Sequence, residues 1–230
     1  QRFVLNGNAG LLFEPHDAVS IGLGAQPALK FHTRGAGTLD FTNNGLALLM
    51  NETVYTDEDV TLLRTEIEGI KNISEEYSQD GARITYGKKA LSVDISGSNV
   101  EFGSMRSMNP QEGGRYLNQL DLDERRRVVF LGDQLTIDLF GEGVDAVGEK
   151  VRIDGSPFTV IGVMVQKEQD SSYSGRDKDK AMIPSTTFRA IYGSKYIENL
   201  IFQAKDVQKI ESVKKAVIAT AANKYRFDPT

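Results

Sequence analysis

The residues that could carry out chemistry are few, because the chain has two histidines, no cysteine and no tryptophan. His16 and His32 lie 16 positions apart, and Asp17 follows the first. Imidazole and carboxylate groups can bind a transition metal together, and a histidine beside an acid can activate a serine. Both histidines fall in a Gly-rich stretch without a regular period. The sequence therefore favours two loop histidines over a metal or hydrolase site.

Carboxylates cluster at three places, and each cluster has a structural explanation. Residues 57–59 are acidic and follow Thr56, which is typical of a helix start, where acids suit the positive end of the helix dipole. The acids at 121–124 precede Arg125-Arg126-Arg127, so their charges can pair within one surface segment. The run that starts at Asp170 partly resembles a calcium loop but lacks the bidentate glutamate at position twelve. The sequence predicts no catalytic residue, no cofactor and no metal.

Composition excludes several classes of protein. The 230 residues are 40% hydrophobic and 26% charged, which is typical of a globular chain with a real core. The net charge of -5 argues against a nucleic-acid partner. No apolar run is long enough to span a bilayer, and neither a P-loop, a dinucleotide-binding glycine motif nor a nucleophile elbow is present.

The elements that would position these residues are short. Val60, Leu63, Ile67 and Ile70 recur at helical spacing and predict a helix capped by Thr56 and Asp59. Short strands are predicted at 10–13, 46–50, 73–78, 83–86, 91–95, 100–102, 128–131, 150–153, 158–165 and 199–204, and further helices at 133–140, 184–192 and from 206. Glycine-rich turns are predicted at 79–81, 87–89 and 97–99. The polar run 167–180 has no apolar period and predicts a mobile loop.

A family resemblance extends over 110–204 and is carried by motifs in order. Gly114-Arg115-Tyr116-Leu117-Asn118 precedes the apolar strand that ends at Gly132, and the run from Val147 to Val163 follows. This order resembles the periplasmic core domain of MacB-type ABC transporter permeases, a group that includes lipoprotein-release and FtsX-like permeases. The resemblance implies an α+β fold with two parts. A membrane-proximal, porter-like α/β part of β-α-β units would comprise 1–78 plus 180–230, and a β-rich, sabre-like part would be inserted at 79–179.

Five residues of these motifs are expected to have structural roles. Gly155 permits the tight turn of a hairpin, and Gly114 and Gly148 are expected at positive φ or in crowded positions. Gly162 belongs to the strand of the same run. Arg115 either ties its loop to carbonyls or a carboxylate of the β-rich part, or is an ordinary surface arginine.

The resemblance implies a domain that is not an enzyme. ATP hydrolysis would belong to a separate cytoplasmic nucleotide-binding region of the parent chain. The domain would lie on the periplasmic face of the inner membrane and transmit ATP-driven motion to substrate or to a periplasmic adaptor. Its partners would be a second permease copy and an adaptor, a cell-wall partner or a lipoprotein, with Ser171, Tyr173 and Arg176 as partner contacts.

Three expectations stay open at the level of sequence. Self-association should be weak in solution, because tethering in a membrane supplies effective concentration. A free-standing envelope binding protein is the first alternative, and it would show a deep cleft between two similar lobes. An envelope hydrolase is the second, and it would bring His16 or His32 together with an acid in a dry cleft.

Overall fold

Two β-sheets and six α-helices make up most of the part of the chain that the structure describes. The structure, a computed structural model, describes residues 55–166 and 176–226 with their side chains, and before residue 55 the backbone of six strands. Four of those strands pair in the order β1-β2-β3-β4, and the other nine strands form one mixed sheet in the order β10-β11-β9-β12-β8-β7-β13-β6-β5. The fold class is α+β, as the sequence predicts.

The elements follow one another in an alternation of strands and short helices. The strands are β1 (Arg2–Asn6), β2 (Gly10–Glu14), β3 (Val19–Gly22), β4 (Leu29–Lys30), β5 (Gly37–Phe41), β6 (Leu46–Met50), β7 (Ile70–Tyr86), β8 (Lys89–Ser98), β9 (Val128–Leu131), β10 (Lys150–Ile153), β11 (Ser156–Val163), β12 (Lys180–Pro184) and β13 (Asn199–Ala204). The helices are α1 (Asp57–Glu66), α2 (Val100–Met105), α3 (Gln119–Asp123), α4 (Asp133–Phe140), α5 (Ser185–Tyr192) and α6 (Ile210–Tyr225).

Six strands of the large sheet close into a ring. The second half of β7 pairs with β8 on one side and, through Ile84 and Thr85, with Ile153 and Arg152 of β10 on the other. The ring therefore runs β7-β8-β12-β9-β11-β10 and back to β7. Its strands contribute Ile84, Ile95, Val129 and Phe158 to one apolar cluster, where all four are almost completely buried. Burial of such side chains is the main stabilising contribution to a fold of this kind.

A β-bulge divides β7 into two halves that pair with different strands. The pairing register with β8 shifts between Gln79 and Ala82, and Gly81 there has φ +66°. The first half pairs with β13 and the second half with β10. One strand thus belongs both to the open part of the sheet and to the ring. The predicted subdomain limits at 78/79 and 179/180 fall at this bulge and at the start of β12, and they stay a prediction.

The two faces of the sheet carry different cores. Helices α1, α4, α5 and α6 cover one face, and their apolar side chains join the strands in a large core that includes Leu63, Leu135, Phe188 and Val217. The opposite face carries a smaller core rich in methionine, made of Phe102, Met105, Met108, Phe130, Met164, Met182 and Ile201. Methionine fills irregular gaps well, which suits a face covered mainly by the short helix α2 and irregular chain.

Three sequence predictions about elements are wrong, for local reasons. Residues 79–81 form the bulge inside β7 where a turn is predicted, because Gly81 takes positive φ and its N–H donates to the Asp94 carboxylate at 3.1 Å. Residues 97–98 continue β8 where a turn is predicted. Residues 100–102 begin helix α2 where a strand is predicted. The Asn99 side chain accepts hydrogen bonds from the N–H groups of Glu101 and Phe102, so it caps the helix. The predicted capping box of Thr56 and Asp59 is confirmed.

Candidate functional site

The segment around Gly114 and Arg115 lies against the last residues of β11, beyond the part of the strand that pairs with β10. The Arg115 N–H donates to the Ile161 carbonyl at 2.8 Å, and the Gln111 N–H donates to the Val163 carbonyl at 2.8 Å. A Cβ on Gly162 would lie 2.4 Å from the Arg115 carbonyl oxygen, and a Cβ on Gly114 would lie 2.8 Å from the Gly162 Cα. Two glycines therefore permit the segment to approach β11 this closely.

The Arg115 side chain binds a buried carboxylate. Its guanidinium donates to both oxygens of Asp121, at 2.5 and 3.0 Å, and also to the Tyr116 carbonyl. Asp121 is fully buried and forms a capping box with Asn118 at the start of α3. Burial alone would raise the pKa of Asp121, but the hydrogen bonds from Arg115 and Asn118 lower it below its usual range. This arrangement fixes α3 and the charged turn after it onto the ring.

The other two motif glycines stand in turns and not in crowded positions. Gly148 has φ +89° and Gly155 has φ +81°, and a Cβ on either would meet nothing within 4 Å. Gly155 and Asp154, which has φ +46°, together make the two-residue turn between β10 and β11. The Asp154 carboxylate accepts from the Arg83 N–H and the Tyr192 hydroxyl, both at 2.8 Å. The turn thereby joins α5 to the ring.

The predicted partner loop is described only at its end. Ser171 and Tyr173 lie outside the described residues, and so do His16 and His32. Arg176 is exposed and donates to Asp179 at 2.9 Å. Asp177 and Lys180 are buried, and Asp177 accepts from Arg106 at 3.0 Å in a buried ion pair. The polar run is therefore not an exposed loop throughout, because its last residues are fastened to α2.

A cluster of charged and aromatic residues joins the end of α6 to the start of α1. Asp59 is buried and accepts from Lys224 and from the Tyr225 hydroxyl, each at 2.5 Å, besides its capping contacts with Thr56. The Tyr55 and Tyr225 rings meet edge to face at 6.3 Å. Although burial raises the pKa of Asp59, its hydrogen bonds from Lys224 and Tyr225 bring that pKa below the usual value. We call Thr56, Asp59, Lys224 and Tyr225 the α1–α6 clamp.

Asp57, at the start of α1, connects this helix to the sheet and to α5. Asp57 accepts from the Tyr77 hydroxyl of β7 at 2.6 Å and forms a salt bridge with Arg189 of α5. At the other end of α1, a Cβ on Gly69 would lie 2.6 Å from Val213 of α6. Helix α6 therefore contacts the start of α1 and, at its own other end, the segment that follows α1, while Asp57 joins α1 to β7 and α5.

Sequence reasoning missed two buried acids at the centre of β7. Glu75 faces the large core, where Ser185 donates to it at 2.7 Å and Asn99 at 3.1 Å. Glu76 faces the opposite way and accepts from Ser96 at 3.2 Å and Asn199 at 3.1 Å. Burial raises the pKa of the Glu75 carboxyl above its usual value despite these hydrogen bonds. The only sequence feature that could have indicated these buried acids is a pair of adjacent glutamates in a run with strand periodicity. An exposed strand shows the same feature, so the sequence alone does not predict their burial.

Neither a metal site nor a ligand cleft is evident in the part of the chain that the structure describes. No group of three or more His, Asp or Glu residues within 55–166 and 176–226 is arranged to hold an ion. A depression of about 340 Å³ is lined by Gly69, Val213 and the charged residues Glu68, Lys205, Asp206 and Lys209. Small-molecule sites are mostly apolar, so this surface does not resemble one. No described helix combines the length and the apolar character needed to cross a bilayer.

Comparison with known proteins identifies a matching family and several relatives. The family described as the MacB-like periplasmic core domain matches residues 18–220. A macrolide export ATP-binding/permease protein, MacB of Chlorobaculum tepidum, is 26% identical over 178 residues, which are 76% of this chain and 26% of the relative. The chain thus spans about a quarter of that relative's length.

Two solved structures have the same fold. The extracellular domain of the noncanonical ABC-type transporter YknZ from Gram-positive bacteria superimposes with a TM-score of 0.65 at 18% identity, covering 78% of this chain and 88% of that one. The periplasmic region of MacB from Actinobacillus actinomycetemcomitans gives 0.64 at 19% identity, covering 75% and 76%. At these identities the likeness concerns the fold alone.

Proposed function

Because this chain belongs to the family of MacB-like periplasmic core domains, we propose that it is the extracytoplasmic domain of an ABC-type export permease and transmits ATP-driven motion. It would lie on the periplasmic face of the inner membrane. A cytoplasmic ATPase region would supply the energy, and a second permease copy would be its partner in the membrane. The similarity to a macrolide export protein supports an export function.

The α1–α6 clamp is the observation that carries the mechanical part of this proposal. A displacement applied at the end of α6 would pull on Asp59 through Lys224 and Tyr225, and so on α1. From α1 it would pass through Asp57 to Tyr77 of β7. Since β7 belongs to both the open sheet and the ring, the ring would move with it. Packed elements transmit strain because interiors have low compressibility.

The predicted division into a porter-like part at 1–78 plus 180–230 and a sabre-like part at 79–179 belongs to the same proposal. Contacts support a firm join between the two parts. Thr186 and Thr187 of α5 donate to the carbonyls of Leu122 and Arg126, at 2.6 and 2.8 Å. Gly97 leaves room for Phe188, since a Cβ there would lie 2.5 Å from that side chain. The loop with Ser171, Tyr173 and Arg176 would contact the adaptor or another envelope partner.

Export and ATP hydrolysis by the parent polypeptide, measured on the same preparation, test the mechanical role. A variant with Lys224→Met and Tyr225→Phe should keep ATP hydrolysis and lose most of the export, because the end of α6, where the proposal applies the displacement, would no longer be held to Asp59 of α1. The variant Tyr86→Phe is the matched control, since its hydroxyl also contacts a carboxylate but far from the clamp. Unchanged export in the clamp variant would refute transmission through α6.

The cellular placement needs a separate measurement. The chain has no cysteine, so a single Lys215→Cys variant in a parent polypeptide free of other cysteines gives one labelling site. A maleimide that cannot cross the inner membrane should label it in spheroplasts. Labelling only after the spheroplasts are opened would contradict the extracytoplasmic placement.

A further inference from the structure

Two runs of opposite charge flank the same strand of the ring. The carbonyl of Arg127, the last residue of the basic run 125–127, accepts from the Thr159 N–H at 3.0 Å. The carbonyl of Glu149, the last acid of the run 138–149, accepts from the Val160 N–H at 2.9 Å. Successive N–H groups of a strand point to opposite sides, so the last residues of the two runs, Arg127 and Glu149, lie on either side of β11 with their backbones about 10 Å apart.

The charges of these runs are exposed and, within the described residues, form no salt bridge with one another, although the carboxylates of Asp138, Asp145 and Glu149 accept hydrogen bonds from neutral groups of Gln134, Val147 and Tyr86. Arg125 and Arg127 are exposed, and no salt bridge of either is found among the described residues. The acidic run carries four acids, Asp138, Glu142, Asp145 and Glu149, and no basic residue. All four are exposed. No ion pair within the described part of the chain joins the basic run to the acidic one.

Apolar side chains accompany both runs. Six large apolar residues are well exposed in the described part of the chain, and three of them belong here. Leu120 precedes the basic run and is 46% exposed, Ile137 immediately precedes the acidic run and is 42% exposed, and Val144 lies within that run and is 48% exposed. An interface that covered both runs would bury these apolar side chains, which would contribute to its stability.

Arg125 occupies a costly backbone position. It follows the end of α3 with φ +50°, where glycine is the usual residue, and its N–H donates to the Leu122 carbonyl at 3.2 Å. The Arg126 N–H also bonds to this helix end, because it donates to the backbone carbonyl of Asp121 at 2.9 Å. The contact between Arg115 and Asp121 holds α3 in place. The side chains of Arg125 and Arg127 therefore extend from a backbone segment that is fixed to the fold.

From these observations we infer that this face binds a second copy of the same chain, with the basic run of each copy against the acidic run of the other. A two-fold axis between adjacent patches of opposite sign brings both pairs together at once, and two-fold contacts of this kind are self-complementary. The inference deepens the proposed function, because it names the surface that the second permease copy would use. A second copy is the partner that fits this surface, because the chain itself carries both the basic run and the acidic run that complements it.

Sedimentation equilibrium of the 230-residue chain from about 10 µM to about 1 mM tests this directly, because a membrane tether supplies millimolar effective concentration. At low salt the average mass should rise from 25.4 kDa towards that of a dimer. At about 0.3 M salt the rise should disappear, since exposed charges are then screened. A mass that stays at 25.4 kDa throughout, or that grows beyond a dimer, overturns the reciprocal contact.

Charge reversal assigns the surface. The double variant R125E/R127E should remain monomeric, and so should D138K/E142K, whereas an equimolar mixture of the two should associate again. The control K71E/K215E changes net charge by the same amount as R125E/R127E, on exposed residues elsewhere, and should associate as the wild type does. Association that survives R125E/R127E, or that the control abolishes equally, overturns the assignment. Neither result would affect export or labelling, so failure here is distinguishable from failure of the proposed function.

Discussion

Gly114 and Gly162 lie back to back, so that a Cβ on Gly114 would be 2.8 Å from the Gly162 Cα. This contact brings the segment that carries Arg115 onto β11. The glycines of the motif therefore have different roles. Gly114 and Gly162 are needed for close approach, whereas Gly148 and Gly155 are needed for positive φ.

Substitution of these glycines should separate the two roles. Gly162→Ala should lower the free energy of unfolding by about 3 kcal/mol, because its Cβ would meet the Arg115 backbone at 2.4 Å. Gly148→Ala should cost about 1 kcal/mol, because its strain is only conformational. Urea unfolding of both variants measures the difference. Equal losses would show that the segment yields to the added methyl group.

Asp121→Asn should destabilise the fold by about 2 kcal/mol at neutral pH, since it removes a buried acceptor of charged hydrogen bonds. The folded pKa of Asp121 is lowered, so its contribution is complete above its unfolded pKa of about 3.9 and is lost as pH falls through the folded value. The difference between wild type and variant should shrink in acid. Asp123→Asn, which removes a carboxylate that Gln119 contacts at the surface, should show almost no difference at either pH.

Glu75→Gln should have the opposite pH dependence. The folded pKa of Glu75 is raised by burial, so the ionised group costs stability once the pH rises above its unfolded pKa of about 4.3 and through its folded pKa. The variant should gain about 1 kcal/mol at neutral pH, and the gain should vanish in acid. Thermal unfolding across this range is the measurement, with exposed Glu149→Gln as control. A variant less stable than wild type at neutral pH would contradict the sign.

Tyr225→Phe should loosen the end of α6 locally. Loss of a hydrogen bond to the buried Asp59 carboxylate should cost about 1.5 kcal/mol, so amides 218–225 should exchange about tenfold faster. Tyr86→Phe, whose hydroxyl contacts the exposed Glu149 at 3.1 Å, should leave exchange unchanged. Identical exchange in wild type and Tyr225→Phe would mean that α6 is held by its apolar face alone.

Much of the fold could be predicted from local signals. Thr56 with Asp59 marks the start of α1, Gly132 precedes α4 and Asp154-Gly155 marks the turn between β10 and β11. Each of these signals acts within a few residues, where capping and turn geometry are decided by side-chain type.

Long-range relationships were beyond the same reasoning. Nothing near Ile84 or Ile153 in sequence indicates that their strands close a ring. The clamp joins residues that are 165 and 166 positions apart. Glu75 and Glu76 look like exposed strand residues, and only the elements packed above them decide that they are buried. The family resemblance supplied the α+β fold class, and the division into two parts that it implies stays a prediction.

Closure of the ring has a consequence for how the domain meets other chains. Most backbone groups of β7 to β12 within the ring are already paired to a neighbouring strand, so that part offers little template for an added β-strand. Partners of the ring must bind through side chains, as the charged runs beside β11 would. This protects the strands of the ring from edge-to-edge pairing, whereas β5 remains the edge strand at the open end of the sheet. Two residue pairs, Ile84 with Ile153 and Thr85 with Arg152, are enough to complete that protection.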